Sequence, residues 1–282
     1  MALSNVNFTS VIVLSPHPDD GILSCGGLLR WALSQQRLAA LLTIFDGNAP
    51  SSVSSFAKKY FPYSSSQNIM RLRRAEDRVA AACLGVAQSS LLLPEAIFRN
   101  DLDGKPLYRK ESDLFDAAAI ETEADLIQAI KPMVVNFLQT KIQPLILSPK
   151  GIGNHVDHQI CREIGLYLLS KGYTVWFYED MPYALAEASK RGDEPGWETI
   201  LINSSLIEFS QKIEACAYYR SQIQPLFGSE IRMKKLLLDH ARLVASEEGS
   251  YAERVWQFKD SGLPQNKEIQ GAKTYRDYSP DM

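Results

Sequence analysis

Short apolar runs alternate along the chain with longer segments in which apolar residues recur at helical spacing. The apolar runs predict buried strands, and the helical spacing predicts helices between and after them. The predicted strands are Val11–Ser15, Ala39–Phe45, Ser90–Pro94, Pro144–Ser148 and Thr174–Tyr178. The predicted helices are Ile22–Gln35, Asn68–Leu84, Thr122–Gln139, His155–Leu169, Leu206–Leu226 and Glu230–Ser246.

This alternation favours an α/β fold with a Rossmann-like, doubly wound and mostly parallel sheet. The chain shows no internal repeat and no linker, so we expect a single domain over residues 1–282. Its length and its hydrophobic content of 45% are sufficient for a large core. The polar tail from residue 260 onward is expected to be partly disordered.

Composition narrows the class of protein. The net charge of −3 gives no basic surface for nucleic acid or anionic lipid. The apolar run near the N-terminus is too short for a signal or membrane-spanning segment. The four cysteines form no close pair and are interpreted as reduced. These features predict a soluble, cytoplasmic protein without nucleic-acid or membrane partners, and they leave its oligomeric state open.

Candidate chemistry begins where the first predicted strand ends, at the sequence His17-Pro-Asp19-Asp20. Open α/β sheets bind ligands beyond the carboxyl ends of their strands. His17 and Asp20 can share one metal ion through nitrogen and oxygen, which leaves Asp19 for proton transfer. One carboxylate could instead cap the following helix, although a cap requires only one of these three residues.

A second motif, His155-Val-Asp157-His158, follows the fourth predicted strand, so three of the four histidines lie in two loops. His155 and His158 are spaced to share one helix face. One of them can complete a His-Asp-His metal set with an open position for water, and the other can act as an acid or electrostatic catalyst. The fourth histidine, His240, is interpreted as an ordinary residue of a helix.

The two motifs together resemble those of the PIG-L or LmbE-like de-N-acetylases, zinc enzymes that remove acetyl groups from N-acetylglucosamine-containing molecules. The resemblance extends over most of the chain through Gly26-Gly27, Arg73 to Glu76, Leu84-Gly85 and Tyr251 to Trp256.

The resemblance implies roles for the residues of both motifs. His17, Asp20 and His158 would bind Zn²⁺ or another divalent metal, and Asp19 would be the general base. A charged His155 would stabilise the oxyanion, with Asp157 as its orienting partner.

The resemblance also implies a small amino-sugar substrate. Gly21 replaces a Glu that is common in the family, and Glu95 stands where relatives often have an Asp that touches the sugar. We expect Arg73 and Glu95 to bind substrate. Asp46, at the end of the second predicted strand, is expected to touch substrate because of its place in the topology, and Arg99 because it lies in a charged loop.

Two loops, residues 47–67 and 95–115, combine aromatic and charged side chains and are interpreted as rims of the crevice, although ordinary solvated loops remain an alternative. Glu179-Asp180 follows the fifth predicted strand and could touch substrate, cap a helix or pair with an arginine.

The sequence therefore favours a zinc-dependent N-deacetylase that acts on an N-acetylglucosamine-type amino sugar or its conjugate. A metal-dependent amidase that acts on a non-sugar amide remains open. The other alternative is a non-catalytic sugar- or nucleotide-binding module, although the first βα turn has no GxGxxG sequence.

Overall fold

The computed structural model describes residues 7–50, 53–60, 66–186, 195–245 and 250–259. Its strands are β1 (Ser10–Ser15), β2 (Leu38–Thr43), β3 (Ala87–Ser90), β4 (Pro144–Pro149), β5 (Thr174–Tyr178), β6 (Trp197–Ser204) and β7 (Tyr251–Phe258). They form one sheet in the order β3-β2-β1-β4-β5-β7-β6. The pairs from β3 to β5 are parallel, and β7 runs antiparallel to both β5 and β6. The mostly parallel α/β sheet is confirmed.

Helices cover both faces of this sheet. The α-helices of the described residues are α1 (Asp20–Ser34), α2 (Ser55–Tyr60), α3 (Ser66–Leu84), α4 (Glu111–Leu114), α5 (Ala124–Leu138), α6 (Val156–Ser170), α7 (Leu206–Cys216), α8 (Arg220–Phe227) and α9 (Glu230–Val244). Side chains alternate along β1: Val11 and Val13 pack toward α1, α7 and α9, whereas Ile12 and Leu14 pack toward α5 and α6. This two-sided burial is the doubly wound arrangement that the sequence predicted.

The third strand lies earlier in the chain than predicted. It spans Ala87–Ser90, and the apolar residues Leu91 to Leu93 follow it. β3 is an edge strand with half-buried or exposed positions, so an apolar run does not mark it. Leu92 has a positive φ of 59° and is 58% exposed, which ends the regular strand.

Other differences concern the C-terminal third. The strands β6 and β7 were not predicted, and the segment Leu206–Leu226 forms two helices, α7 and α8, instead of one. β7 contains Glu253 and Arg254, whose charges interrupt a strand-like apolar pattern. The tail from residue 260 and part of the 47–67 loop lie outside the described residues.

The carboxyl ends of β1 and β4 adjoin in the sheet, and β5 lies next to β4. The two histidine motifs follow β1 and β4, so the topology brings them to the same edge. The four cysteines are unbridged, and Cys83 is half-buried whereas the others are buried. None of the helices in the described ranges is long and apolar enough to cross a lipid bilayer.

Candidate metal centre and active site

The first site loop joins β1 to α1. The Ser15 hydroxyl donates to the His17 carbonyl oxygen at 2.7 Å and accepts from the Gly21 N–H at 2.8 Å. Asp19 has a φ of 117°, and backbone strain of this kind concentrates at functional sites. Although Asp19 occupies the N-cap position of α1, its side chain makes no capping hydrogen bond. Helix capping therefore does not explain this carboxylate.

Gly21 lies in close contact with neighbouring side chains. A Cβ atom at this position would lie 2.4 Å from Leu41 Cδ1 and 3.1 Å from Ser15 Cβ. A larger residue at this position would require the buried side chain of Leu41 to move.

Three buried side chains converge beyond the strand ends. His17 Nδ1 lies 3.0 Å from Asp20 Oδ2, and His158 Nε2 lies 3.2 Å from the same oxygen. The potential ligand atoms of the three residues all lie within 4.8 Å of one another. His158 Nε2 is buried and has no hydrogen-bond partner among the described residues. Two imidazole nitrogens and a carboxylate oxygen suit zinc or another divalent transition metal.

Each histidine of this set is held through its other ring nitrogen by a buried carboxylate. His17 Nε2 lies 2.9 Å from Asp157 Oδ2, and His158 Nδ1 lies 2.7 Å from Asp180 Oδ1. Such outer carboxylates fix the tautomer and orientation of metal-binding histidines. Asp180, one of two residues considered after the fifth strand, therefore contacts a candidate ligand. Its neighbour Glu179 pairs with Arg254 at 3.0 Å, as one of the alternatives for it anticipated.

The three candidate ligands perturb one another strongly. Burial opposes protonation of both histidines, but their carboxylate neighbours outweigh it, raising the pKa of His158 to about 9 and that of His17 well above its usual range. Burial would also raise the pKa of Asp20, but the charge of His158 holds it well below its usual range. A metal ion would replace the protons that these imidazoles attract.

Asp19 lies beside the ligand set and is buried. Burial, and then the charge of Asp20, raise the pKa of Asp19 well above its usual range. Arg73 Nη2 lies 3.8 Å from Asp19 Oδ1 and partly offsets this effect. Arg73 also forms a buried ion pair with Glu95, so these two predicted substrate residues flank the candidate base. Their contact with substrate stays a prediction.

His155 is the N-cap residue of α6. Its Nδ1 accepts from the Asp157 backbone N–H at 3.2 Å, so a neutral ring carries its proton on Nε2. Burial, and then the charge of His17, lower the pKa of His155 well below its usual range. The structure therefore supports a neutral donor instead of the charged His155 that we expected.

The Asp157 carboxylate orients His17 and not His155, contrary to the expectation from the family. It accepts from His17 Nε2 and from the Ala96 N–H, both at 2.9 Å. Its other oxygen lies 2.6 Å from Arg99 Nη1. The sequence interval between Asp157 and His155 suggested a side-chain pair, but the helix start joins them through the backbone.

Two further predicted substrate residues, Arg99 and Asp46, lie in buried contacts, and their contact with substrate stays a prediction. Arg99 is 6% exposed, and its Nε lies 2.9 Å from Glu123 Oε1. Asp46 is fully buried, and its Oδ1 accepts from the Leu92 N–H at 3.0 Å. The place of a residue in the topology does not reveal which neighbours occupy its polar atoms.

An aromatic wall formed by Phe115 and Tyr183 borders the site. The Phe115 ring lies 5.3 Å from His155 and the Tyr183 ring 5.4 Å from His158, measured between centroids. Phe115 ends the 95–115 loop that was interpreted as a rim. Tyr183 was missed, and its proximity to the end of β5 is the signal that could have identified it.

Comparison with known proteins decides the family. The model of the PIG-L family, described as GlcNAc-PI de-N-acetylase, matches residues 12–169 and includes both histidine motifs. The chain belongs to the PIG-L family. The 2′-N-acetylparomamine deacetylase of Niallia circulans is 31% identical to this PIG-L protein over 251 residues, which cover 82% of the chain and 86% of the relative. The resemblance inferred from the two motifs is confirmed.

Solved structures of deacetylases share the PIG-L fold of this chain. A deacetylase of the teicoplanin biosynthesis pathway, in its bog complex, has a TM-score of 0.78 at 25% identity, covering 90% of this chain and 100% of that one. The zinc-inhibited form of a teicoplanin deacetylase has a TM-score of 0.73 at 25% identity, with the same coverage of 90% and 100%.

Proposed function

We propose that this PIG-L protein is a zinc-dependent hydrolase that removes an N-acetyl group from an N-acetylglucosamine-type amino sugar or its conjugate. The observation that carries the proposal is the convergence of His17, Asp20 and the buried Nε2 of His158 beside the buried Asp19. The named deacetylase relatives support N-deacetylase activity, and the 2′-N-acetylparomamine deacetylases support an amino-sugar substrate.

His17 through Nδ1, Asp20 through Oδ2 and His158 through Nε2 would hold the metal ion. Zinc at such a site supplies Lewis-acid chemistry, since it polarises a carbonyl group and makes a proton of water easier to remove. The roles of the surrounding residues follow from their own geometry.

Asp19 would take the proton from the attacking water. Its raised pKa keeps the proton available, so the same carboxyl group can return it to the departing amine. Arg73 would limit that rise and keep enough of the carboxylate form present to act as a base.

His155 would donate through Nε2–H to the oxygen of the acetyl group as negative charge develops there. Since Nδ1 accepts from the Asp157 backbone, the donor nitrogen is fixed without a positive charge on the ring. A donor of this kind contributes about 3 to 4 kcal/mol to transition-state stabilisation.

A substrate panel tests the proposed reaction. The zinc-loaded protein is incubated with 2′-N-acetylparomamine, simple N-acetylglucosaminides and N-acetylated non-sugar amines, and released acetate is measured. The Asp19→Asn variant is the control, because its amide can neither accept nor return a proton. Release from the sugars by the wild type alone supports the proposal. Release from the non-sugar amides alone would establish the amidase alternative, and no release by metal-loaded protein would leave a binding module.

The His155→Ala variant tests the donor separately. It should keep its metal and lose roughly a hundred- to a thousand-fold in kcat with little change in KM, because the interaction is made mainly in the transition state. Loss of zinc from His155→Ala, with zinc retained in His158→Ala, would reverse the two assignments.

Several finer expectations stay predictions. These are the identity of the metal as zinc, a single domain over residues 1–282, a cytoplasmic location, and the lack of nucleic-acid and membrane partners.

A further inference from the structure

We infer that Arg99 is a positioning residue of the metal centre, which acts with Glu123 and Tyr108 to fix the Asp157 carboxylate that orients His17. This inference rests on the ligand set of the proposed function. It gives Arg99 a role that does not depend on contact with substrate.

A continuous chain of buried contacts leads away from His17. Asp157 Oδ2 lies 2.9 Å from His17 Nε2, and Asp157 Oδ1 lies 2.6 Å from Arg99 Nη1. Arg99 Nε lies 2.9 Å from Glu123 Oε1, and the Tyr108 hydroxyl donates to the same oxygen at 2.5 Å. All four residues behind His17 are at most 6% exposed.

The guanidinium group of Arg99 is held on several sides. Its Nη1 donates to the Pro94 carbonyl oxygen at 3.3 Å, and its Cζ lies 5.2 Å from the Phe45 ring centroid and 5.6 Å from that of Tyr108. A planar guanidinium can contact two carboxylates in fixed directions, whereas a lysine ammonium is a point charge on a flexible chain. The site therefore uses the shape of arginine as well as its charge.

The local chain path explains why Asp157 is so well fixed. A 3₁₀ helix spans Ala96–Phe98, and Arg99 follows it directly. The Ala96 N–H donates to Asp157 Oδ2, so one short segment supplies a neutral donor to one carboxylate oxygen and a cation to the other. Glu123, the last residue of a second 3₁₀ helix, fixes this segment through its ion pair with Arg99.

The Arg99→Lys variant provides the main test. Outer partners of metal-binding histidines are worth roughly 10- to 100-fold in metal affinity, so we expect the dissociation constant for Zn²⁺ to rise about tenfold. The d–d absorption of the Co²⁺-substituted protein should also change, because His17 would change its orientation. A folded Arg99→Lys protein with the wild-type Zn²⁺ dissociation constant and Co²⁺ spectrum would overturn the inference.

A matched pair of tyrosine variants separates positioning from general stability. Tyr108 donates to Glu123 within the proposed chain of contacts, whereas Tyr219 donates to Asp77 at 2.8 Å in an equally buried setting outside it. Both Tyr→Phe substitutions should lower the thermal midpoint, but only Tyr108→Phe should weaken Zn²⁺ binding, by about two- to fivefold. Equal Zn²⁺ affinity in the two variants would contradict the inference even if Arg99→Lys failed to fold.

These measurements need no substrate. A protein that deacetylates nothing in the substrate panel, but weakens its Zn²⁺ binding as described, would refute the proposed reaction and support the role of Arg99. An active deacetylase whose Zn²⁺ affinity does not change in the Arg99 and Tyr108 variants would support the proposed reaction and refute the role of Arg99.

Discussion

Asp157 and Asp180 orient the two candidate histidine ligands but are held by different kinds of donor. Asp180 Oδ2 accepts from the backbone N–H groups of Gly151 and Ile152 at 2.9 and 3.0 Å. Asp157 accepts one backbone N–H, and its other oxygen faces the buried cation of Arg99. The position of the Asp180 carboxylate, beside His158, thus depends on the backbone of one loop; we call this part of the site the Asp180 side. The position of the Asp157 carboxylate, beside His17, depends on side chains from distant segments; we call this part the Asp157 side.

Because of this difference, we expect Zn²⁺ binding to respond differently to substitutions near Asp157 and to substitutions near Asp180. A buried charge pair is strong while it is intact, but removal of one partner leaves an uncompensated charge in the interior. Neutral N–H donors carry no such charge, although they require the loop to keep its conformation. The Asp157 side should therefore be sensitive to changes of charge and the Asp180 side to changes of backbone.

Neutralising each aspartate provides the largest contrast. Asp157→Asn should weaken Zn²⁺ binding by about 100-fold and Asp180→Asn by about tenfold, both through a loss of histidine orientation. The larger effect at Asp157 arises because Arg99 keeps its positive charge near the metal ion when the opposing carboxylate is gone. Competition with a fluorescent chelator measures both dissociation constants.

The solvent-exposed Asp103 provides a control, since Asp103→Asn should leave Zn²⁺ affinity unchanged. Equal losses in Asp157→Asn and Asp180→Asn would mean that the cation behind Asp157 makes no difference to the metal centre.

Asp77 is a buried carboxyl group whose hydrogen-bond donors are all neutral. It accepts from Thr43 Oγ1 and Tyr219 OH, each at 2.8 Å, and from Gln88 Nε2 at 3.2 Å. Burial exceeds the effect of these hydrogen bonds and raises the pKa of Asp77 from 3.8 to about 6. Asp157 is also buried, but Arg99 and the His17 hydrogen bond hold its pKa well below the usual range.

The Asp77 shift predicts a pH dependence of stability. Between about pH 4 and pH 6 the folded protein binds this proton more tightly than the unfolded chain, so the free energy of unfolding should fall by roughly 2 to 3 kcal/mol as pH rises. Asp77→Asn should remove this step, which urea unfolding at a series of pH values would measure. The same pH slope in both proteins would show that Asp77 titrates normally when folded.

The convergence of His17, Asp20 and His158 could be predicted from the sequence because its determinants are local. His17 and Asp20 lie at the junction of β1 and α1, and His158 lies at the start of α6 after the neighbouring β4, because the carboxyl ends of parallel strands meet at one edge. Sequence spacing could not assign the outer carboxylates. Asp157 lies near His155 in the chain, yet its side chain contacts His17 and Arg99.

Contacts that form only in the folded chain also explain why β7 was not predicted. In β7, Glu253 is buried because Lys212 lies 2.6 Å away and the Gly27 N–H donates to it, and Arg254 pairs with Glu179. Each charge has its partner outside β7, so the strand pattern is visible only after the fold brings distant segments together.

A glycine substitution in the loop that holds Asp180 gives the smallest and most selective effect. Gly151 has a φ of +83°, and an added Cβ would lie 2.5 Å from Gln159 Nε2. Gly151→Ala should lower the free energy of unfolding by about 1 to 2 kcal/mol through left-handed strain, and it should shift the N–H donors of Asp180.

Gly172 provides the control. It has a φ of +87° with nothing within 4 Å of an added Cβ, so Gly172→Ala introduces left-handed strain away from the site. Urea unfolding should show a loss of stability in both variants, whereas chelator competition should show weaker Zn²⁺ binding, by a few-fold, in Gly151→Ala alone. Unchanged Zn²⁺ affinity in Gly151→Ala would mean that Asp180 keeps its position without this loop and that the two sides of the metal centre do not differ in their dependence on the backbone.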